Sequence, residues 1–172
     1  MRLRIVLFAA LLAGAVGGPG QAAPDAAGWS VEAVDRVVVM KKERRLLLLR
    51  RDGRMMKSYR VALGPHPVGH KLRQGDGRTP EGVYIIDGRN ANSRFHLSLH
   101  VSYPDAVDAA RAESAGSSAG GDIMIHGVGR ESRGRKLHPR RDWTEGCIAV
   151  NDREIEEIWA AVPDGTPIEI RP

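Results

Sequence analysis

The sequence predicts a mainly β domain that carries one or two short helices. Short runs of branched and long apolar residues alternate with turn signals through the first half of the chain. The segment FHLSLHVS, residues 95–102, alternates apolar and polar side chains with the period of a half-buried strand. Helical features are confined to residues 105–115 and 152–161. These three observations set the fold class.

The 172 residues fit one globular domain behind a short leader. Two arginines precede an apolar run at residues 5–16, and small residues follow it, which is the pattern of a secretory signal peptide over residues 1–22. We expect residues 23–33 to form a short linker and residues 34–172 to form the domain. An uncleaved N-terminal anchor is the alternative, but the apolar run is too short to span a bilayer comfortably.

Charge and composition argue against a nucleic-acid-binding protein. The formal net charge is +5, and removing the leader, with its two arginines and no acidic residue, lowers it to +3. Aromatic residues make up only 5% of the chain, which leaves few rings for base stacking. No cysteine follows the leader to carry a lipid anchor. We therefore expect an exported protein of the periplasm or cell envelope, monomeric and without a stable membrane anchor after cleavage.

The first three predicted strands form a meander. Apolar runs at residues 34–40, 46–50 and 55–63 are separated by Lys-Lys and Asp-Gly turn candidates. The four successive leucines of the second run fit a helix or a strand, and the neighbouring turns favour the strand. A long ordered loop rich in glycine and proline follows, and it leads into a strand at residues 83–87.

The alternating strand at residues 95–102 places His96 and His100 on its polar face. Two histidines on one face would suit a zinc site, but no carboxylate or third histidine has a supporting spacing. We therefore predict no metal, and a zinc peptidase is the lesser alternative.

Both helices are predicted from their capping residues. An aspartate caps the helix at residues 105–115. Asn151 and Glu154 have the spacing of a capping box, and apolar residues recur at helical spacing through residues 152–161. A Pro-Asp-Gly sequence ends this second helix, and a final strand is predicted at residues 167–170.

Cys147 is the only cysteine of the chain. No intramolecular disulfide is possible, so the thiol is buried and inert, bridged to another chain, or a catalytic nucleophile. A nucleophilic thiol needs a base, and the candidates are His138 and His126, which follows a short strand at residues 122–125. Gly146 allows close approach of the backbone to a substrate, and amides near the thiol can face a developing oxyanion.

Two motifs resemble the signature of the L,D-transpeptidase catalytic domain, also called the YkuD domain. They are IMIHGVG, residues 123–129, and TEGCIAV, residues 144–150. The similarity continues in GDGRTPEGVYII (75–86), LHVSYPDAVDAAR (99–111) and VPDGTPIEI (162–170). The resemblance therefore covers the predicted domain almost from end to end.

This resemblance implies a β-sandwich or barrel that acts, without a metal or organic cofactor, on peptidoglycan stem peptides of the cell envelope. Cys147 would attack the bond between an L-centre and D-alanine in a tetrapeptide stem and form a thioester. An amine of a neighbouring stem would complete transpeptidation, and water would complete a carboxypeptidase reaction. An L,D-carboxypeptidase or wall-link hydrolase is thus the nearest alternative, and a non-catalytic envelope-binding module is the other.

The resemblance also implies catalytic roles. His126 corresponds to the general base, and Gly146 and Cys147 correspond to the residues whose amides form the oxyanion hole.

Substrate contacts are expected from residues beside these groups. They are Gly127, which follows the base, Thr144, His138 and Arg141. Further basic residues of the same loop could meet a stem carboxylate: Arg133, Arg135, Lys136 and Arg140.

Three positions depart from the family pattern: Thr144, Glu145 and Ala149. Threonine keeps the hydroxyl of the serine that is common there. Glu145 brings a carboxylate near the thiol and opposes thiolate formation unless it pairs or points away. Ala149 stands where the family commonly has arginine, so that cation must come from elsewhere, with Arg141 and Arg153 as candidates.

Overall fold

The computed structural model describes residues 34–129 and 141–172. Within these residues the chain forms eight strands and two helices, so the mainly β class is confirmed. The strands are β1 Arg36–Met40, β2 Arg45–Leu49, β3 Met55–Arg60, β4 Gly82–Ser93, β5 His96–Val101, β6 Met124–His126, β7 Ile148–Ala149 and β8 Pro167–Arg171, and the helices are α1 Ala106–Ser114 and α2 Asp152–Ala161. Neither helix is long and apolar enough to cross a membrane.

All eight described strands belong to one sheet, in the order β3-β2-β1-β8-β4-β5-β6-β7. The last strand in sequence, β8, lies at the centre, parallel to β1 and antiparallel to β4. The two ends of the open sheet meet at a bridge, where Ala62 and Ala149 exchange two backbone hydrogen bonds of 2.9 Å. This contact brings the sheet toward the sandwich or barrel that the resemblance implies.

The predicted meander is present as β1, β2 and β3, which pair in antiparallel register. The four leucines form a strand, in which Leu46 and Leu48 are buried. The third strand ends three residues earlier than predicted. After β3 the chain leaves the ladder with β2: Ala62 bridges to Ala149, and the backbone N–H of Leu63 donates to Asp142 Oδ1 at 3.0 Å.

The hairpin of β4 and β5 is longer than predicted, since β4 runs to Ser93. The prediction ended this strand at residue 87. In the structure Gly88 and Asn90 pair with β5, and the register shifts on either side of them, at Ile86/Gly88 and at Asn90/Ser93. Bulges accommodate residues that would otherwise break a regular strand.

Both predicted helices form, and each has a complete capping box. In α2, Asn151 accepts from the backbone N–H of Glu154, and Glu154 accepts from that of Asn151. The apolar side chains Ile155 and Ile158 are fully buried in the core against β5 and β6. This packing fixes the position of β6, the strand that ends at His126.

The long loop between β3 and β4 is ordered, as predicted, and a buried lysine that the prediction did not include holds it in place. The ammonium of Lys41 is 1% exposed and donates to Gly69 O at 2.6 Å, Thr79 O at 2.9 Å and Glu81 Oε1 at 2.8 Å. Burial lowers the pKa of Lys41, although the bond to Glu81 counteracts this. Three acceptors satisfy the three donors of the ammonium, so the middle of the loop and its end before β4 are both tied to the residue that follows β1.

Candidate active site

Neighbouring parallel strands bring Cys147 and His126 to one face of the sheet. In the pairing of β6 with β7, Ile125 is opposite Ile148 and His126 is opposite Ala149. Extending this register by one residue places Cys147 level with Met124. Side chains alternate along a strand, so those of residues 147 and 126 project from the same face. The spacings of a sheet put their Cα atoms about 8 Å apart on a diagonal.

His126 is held in one orientation. Its ring is 2% exposed, and Nδ1 lies 2.6 Å from Gly127 O. A carbonyl oxygen only accepts hydrogen bonds, so Nδ1 carries the proton and Nε2 is left as the basic nitrogen. The ring stacks on Phe95 at 4.4 Å between centroids and meets the edge of Trp143 at 5.7 Å.

The environment of His126 keeps its imidazole neutral. Burial lowers the pKa of His126, the bond to Gly127 counteracts this, and the charge of Arg94 lowers the pKa further. The pKa therefore lies below the ordinary value of 6.5. A neutral imidazole with a fixed tautomer is the form that can accept a proton near neutral pH.

Cys147 is partly exposed and carries a neutral thiol at neutral pH. Its Sγ donates to Asp122 O at 3.3 Å. Burial raises the pKa of the thiol, and the backbone N–H of Met124 and the charge of Lys71 offset only part of this effect. The charges of Asp122 and Glu145 raise the pKa, so Glu145 opposes the thiolate as expected. The histidine does not create a preformed thiolate here, because both groups are desolvated.

A tight turn before the thiol is fixed by Thr144. Its hydroxyl donates to Cys147 O at 2.7 Å and accepts from the backbone N–H of Gly146 at 3.2 Å. Thr144 is 5% exposed and both of these bonds are internal. The buried position of Thr144 favours a role in holding the turn that carries the nucleophile. It argues against the substrate contact that was expected for this residue. The amide of Gly146 already has an acceptor, so an oxyanion role for it would require exchange of this bond.

Glycines allow three pieces of backbone to meet behind Cys147. Gly146 has φ +126, and a Cβ there would lie 2.6 Å from Arg78 O. A Cβ on Gly64 would lie 2.0 Å from Gly77 O and 3.2 Å from Gly146 N. These contacts leave no room for a side chain, so the loop between β3 and β4 forms one wall of the turn. Sequence analysis missed this contact, which joins residues far apart in the chain.

The segment before the turn is anchored to Leu63, three residues after the end of β3. The backbone N–H groups of Trp143 and Thr144 both donate to Leu63 O, at 2.9 and 3.0 Å. Asp142 accepts from Leu63 N and from the guanidinium of Arg44, with the shortest contact to Nη2 at 2.7 Å. Asp142 and Trp143 thus fix the local backbone.

Gly127 is enclosed, and its carbonyl orients the base. A Cβ at this position would lie 2.6 Å from Asp152 Oδ1 and 2.8 Å from Phe95 O. The same Asp152 oxygen accepts from the backbone N–H groups of Val128 and Gly129, both at 2.8 Å. The start of α2 therefore clamps the chain after His126, and this location favours a positioning role for Gly127 over substrate contact.

Some predicted site residues lie elsewhere or outside the described ranges. His138 and the basic residues Arg133, Arg135, Lys136 and Arg140 lie outside the described residues. Arg141 is exposed, and Arg153 on α2 is exposed and faces Glu157 at 3.8 Å. The two histidines of β5 pair separately, His96 with Glu156 and His100 with Asp87. In the described part of the chain, no group of three histidine, cysteine or acidic side chains could hold a metal ion.

Comparison with known proteins identifies the family. The family model of the YkuD L,D-transpeptidase catalytic domain matches residues 34–170. YafK of Escherichia coli strain K12, named as a candidate L,D-transpeptidase, is 28% identical over 132 residues, covering 73% of this chain and 46% of YafK. YkuD of Bacillus licheniformis, also a candidate L,D-transpeptidase, is 29% identical over 142 residues, covering 80% of this chain and 66% of YkuD.

A solved structure supports the fold. The helical cell shape determining protein Pgp2 of Campylobacter jejuni matches with a TM-score of 0.64 at 24% identity, covering 81% of this chain and 48% of Pgp2. The chain thus spans about half the length of YafK and of Pgp2. The family match extends over both described ranges almost to their ends. The chain therefore belongs to the L,D-transpeptidase catalytic domain family.

Proposed function

We propose that this domain is a peptidoglycan L,D-transpeptidase in which Cys147 is the nucleophile and His126 is the general base. The observation that carries the proposal is the bond from His126 Nδ1–H to Gly127 O, because it leaves Nε2 basic on the face that also carries Cys147. Family membership supplies the class of reaction and of substrate.

The reaction starts from a neutral thiol and a neutral imidazole. A stem tetrapeptide binds with the carbonyl carbon of its L-centre, the one bonded to D-alanine, next to Sγ. As sulfur attacks this carbon, Nε2 takes the thiol proton and Nδ1–H remains bonded to Gly127 O, which stabilises the imidazolium. The imidazolium then protonates the leaving nitrogen, D-alanine departs, and a thioester remains on Cys147.

The oxyanion needs a donor near the sulfur. The backbone N–H of Cys147 has no acceptor among the described residues, whereas that of Gly146 donates to Thr144. We therefore assign the first oxyanion contact to the Cys147 amide. Gly146 contributes by its conformation, since its φ of +126 directs the chain into this turn.

An amine or water resolves the thioester. His126 takes a proton from the incoming amine, nitrogen replaces sulfur on the acyl carbon, and the thiol is regenerated. With an amine of a second stem the product is a crosslink, and with water the product is a shortened stem.

The test is incubation of the full chain with disaccharide tetrapeptides, followed by mass spectrometry. We expect crosslinked dimers with loss of D-alanine, no product from Cys147→Ala, and a fall of about a hundredfold or more for His126→Gln. His96→Gln, a histidine paired with Glu156 on the surface, is the matched control and should retain activity. Tripeptides alone would establish the carboxypeptidase alternative. No product at all would contradict the proposal and favour a binding module.

We also propose that residues 1–22 are a signal peptide, residues 23–33 a linker and residues 34–172 the catalytic domain of a protein exported to the envelope. The mass of the mature chain recovered from a bacterial envelope fraction tests this. Loss of the leader is expected, and an intact leader on membrane-bound protein would support the uncleaved anchor.

A further inference from the structure

The hydrogen bond to Gly127 does not by itself fix the plane of the His126 ring. The bond joins Nδ1 to the carbonyl oxygen of the next residue at 2.6 Å, so it holds one corner of the imidazole. The torsion that turns a histidine ring about its Cβ–Cγ bond has only a broad preference. Contacts with the face and edge of the ring are therefore needed to keep Nε2 in one place.

The connection between β4 and β5 carries a side chain that can make such a contact. β4 ends at Ser93 and β5 begins at His96. Arg94 and Phe95 alone connect the two strands. Hairpin connections of two residues usually contain glycine, asparagine or aspartate. A phenylalanine is unusual there, and its side chain is half-buried although it belongs to a turn.

The Phe95 ring packs on the candidate base. The phenyl and imidazole rings stack at 4.4 Å between centroids, with 26° between their planes. The Trp143 ring contacts both, with its centroid 5.8 Å from that of Phe95 and 5.7 Å from that of His126. One ring on a face of the imidazole and another at its edge together limit its rotation.

Two glycines that follow the base allow the hairpin connection to approach it. A Cβ on Gly127 would lie 2.8 Å from Phe95 O, and a Cβ on Gly129 would lie 2.6 Å from Phe95 Cα. Both distances are shorter than real Cβ contacts, so a side chain at either position would displace the connection. The backbone after His126 thus has the shape that the stack requires.

Arg94 adds a permanent positive charge to this stack. Its guanidinium carbon lies 4.7 Å from the centroid of the Phe95 ring, which is a cation–π distance. The charge of Arg94 also lowers the pKa of His126, in the same direction as burial. The hairpin connection therefore acts on the base through packing and through charge.

Other titratable groups on the segments around the base are neutral or already bonded. The Cys147 thiol, on the same face of the sheet, is uncharged near neutral pH because its pKa is raised. Three acidic side chains of neighbouring segments have partners: Asp152 with backbone N–H groups, Asp142 with Arg44, and Glu156 with His96.

We propose that Phe95 and Arg94 are positioning residues for His126: the phenyl ring holds the imidazole in the plane in which Nδ1–H reaches Gly127 O, and the guanidinium holds the phenyl ring against it. This inference rests on the proposed function for the role of His126 as the base. Both side chains act through His126 and need no contact with the substrate.

The first test uses Phe95→Leu, which keeps an apolar side chain and removes the flat ring. Release of D-alanine from disaccharide tetrapeptides is measured at steady state. We expect kcat to fall about tenfold and KM to change by less than about twofold, because the imidazole is less often in the productive orientation. Phe95→Tyr keeps the stack and should retain most of kcat. Trp159→Leu, which removes the packing of Arg89 on another aromatic ring, is the matched control and should change neither constant.

The second test separates the charge of Arg94 from its packing. Arg94→Met keeps an unbranched side chain beside the phenyl ring and removes the charge, so the pKa of His126 should rise. The acidic limb of the kcat profile should then move to higher pH. Arg94→Lys keeps a positive charge and should leave the limb near its wild-type position. Arg51→Ala, an exposed arginine in the β2–β3 turn, should not move it.

NMR of full-length Cys147→Ala protein tests the same contacts without turnover. The Nδ1 proton of His126 is followed for exchange with water, and the ring is titrated. Phe95→Leu should speed this exchange and Phe95→Tyr should not, while Arg94→Met should raise the pKa of the ring. Unchanged exchange and unchanged kcat in Phe95→Leu, or equal losses in Phe95→Leu and Phe95→Tyr, would overturn the role of Phe95. An unmoved pKa in Arg94→Met would overturn that of Arg94.

The outcomes also separate this inference from the proposed function. The expected NMR changes in a protein that releases no D-alanine would leave the positioning contacts in place and reject the proposed function. D-Alanine release that is lost in His126→Gln but unchanged in Phe95→Leu and Arg94→Met would do the reverse.

Discussion

The molecule has two regions that are held together by different forces. The first is the sheet with α2 packed on it, and the second is the set of segments around Cys147. In the first region the chain is fixed by apolar burial, with Val37, Ile125 and Ile158 fully buried. In the second region it is fixed by polar side chains that bond to backbone, as Asp76, Asp142 and Thr144 do, and by backbone contacts between glycines. Stability therefore depends chiefly on the first region, and placement of the thiol on the second.

The largest effect is expected from Gly146→Ala. A Cβ would lie 2.6 Å from Arg78 O on backbone with φ +126, so the turn must move and take the thiol with it. We expect turnover to fall by at least about a hundredfold, since small displacements of reacting atoms have effects of that size. Gly53→Ala is the matched control, because it has φ +80 with open space around its Cβ. Retained turnover in Gly146→Ala would show that the turn is not rigid.

Ile158→Ala tests the first region. The side chain is fully buried in α2, and its removal should lower the free energy of unfolding by about 2–5 kcal/mol. Turnover per folded molecule should change little. Denaturant titration with activity measured below the transition checks both points, with the 62% exposed Val107→Ala as the control. A tenfold loss of activity in fully folded Ile158→Ala would contradict the claim that the first region determines stability and the second determines placement of the thiol.

Thr144→Val sharpens the comparison, because it keeps the shape and removes the hydroxyl. Gly146 N–H and Cys147 C=O would each lose a partner, which costs about 1–3 kcal/mol. We expect roughly a tenfold fall in turnover, measured by release of D-alanine. Thr144→Ser retains the hydroxyl and should remain close to wild type. Equal losses in both variants would mean that the methyl group matters and the bonds do not.

The smallest effect is expected from Glu145→Gln. The charge of Glu145 contributes to the raised pKa of the Cys147 thiol, and its removal should lower that pKa. Because the group is exposed and screened, alkylation by iodoacetamide at fixed pH should quicken by about twofold or less. Glu113→Gln, an exposed glutamate on α1, is the control. Slower alkylation would indicate that Glu145 holds a cation near the thiol.

Local patterns in the sequence predicted much of the first region. The meander and α2 follow from periodicity and capping residues, which act over a few neighbours. The second half of β4 was missed because it contains glycine and asparagine, which are uncommon in regular strands, and its pairing with β5 is interrupted by two shifts in register. Local patterns also could not predict the central position of β8 or the bridge between Ala62 and Ala149, because both join distant parts of the chain.

In the site, the lone thiol and its need for a base pointed to Cys147 with His126 or His138, and the family resemblance favoured His126. The contact between the β3–β4 loop and the turn before Cys147 was not predicted. Nothing local in the sequence shows that Gly64 and Gly77 would meet Gly146. The sequence indicated that Glu145 would oppose the thiolate, but burial, the largest cause of the raised pKa of Cys147, depends on the folded chain.

The central claim is that neutral His126 takes the proton of a neutral Cys147 thiol. The most direct test measures the single-turnover rate of thioester formation as a function of pH in wild type and in His126→Gln. Intact-protein mass spectrometry detects the acyl-enzyme. Because folding lowers the pKa of His126 below 6.5, the wild-type rate should stay high down to about that pH and fall only as the imidazole becomes protonated. The His126→Gln rate should be low and climb only at alkaline pH, through the raised pKa of the thiol. Superimposable profiles for the two proteins would contradict the account.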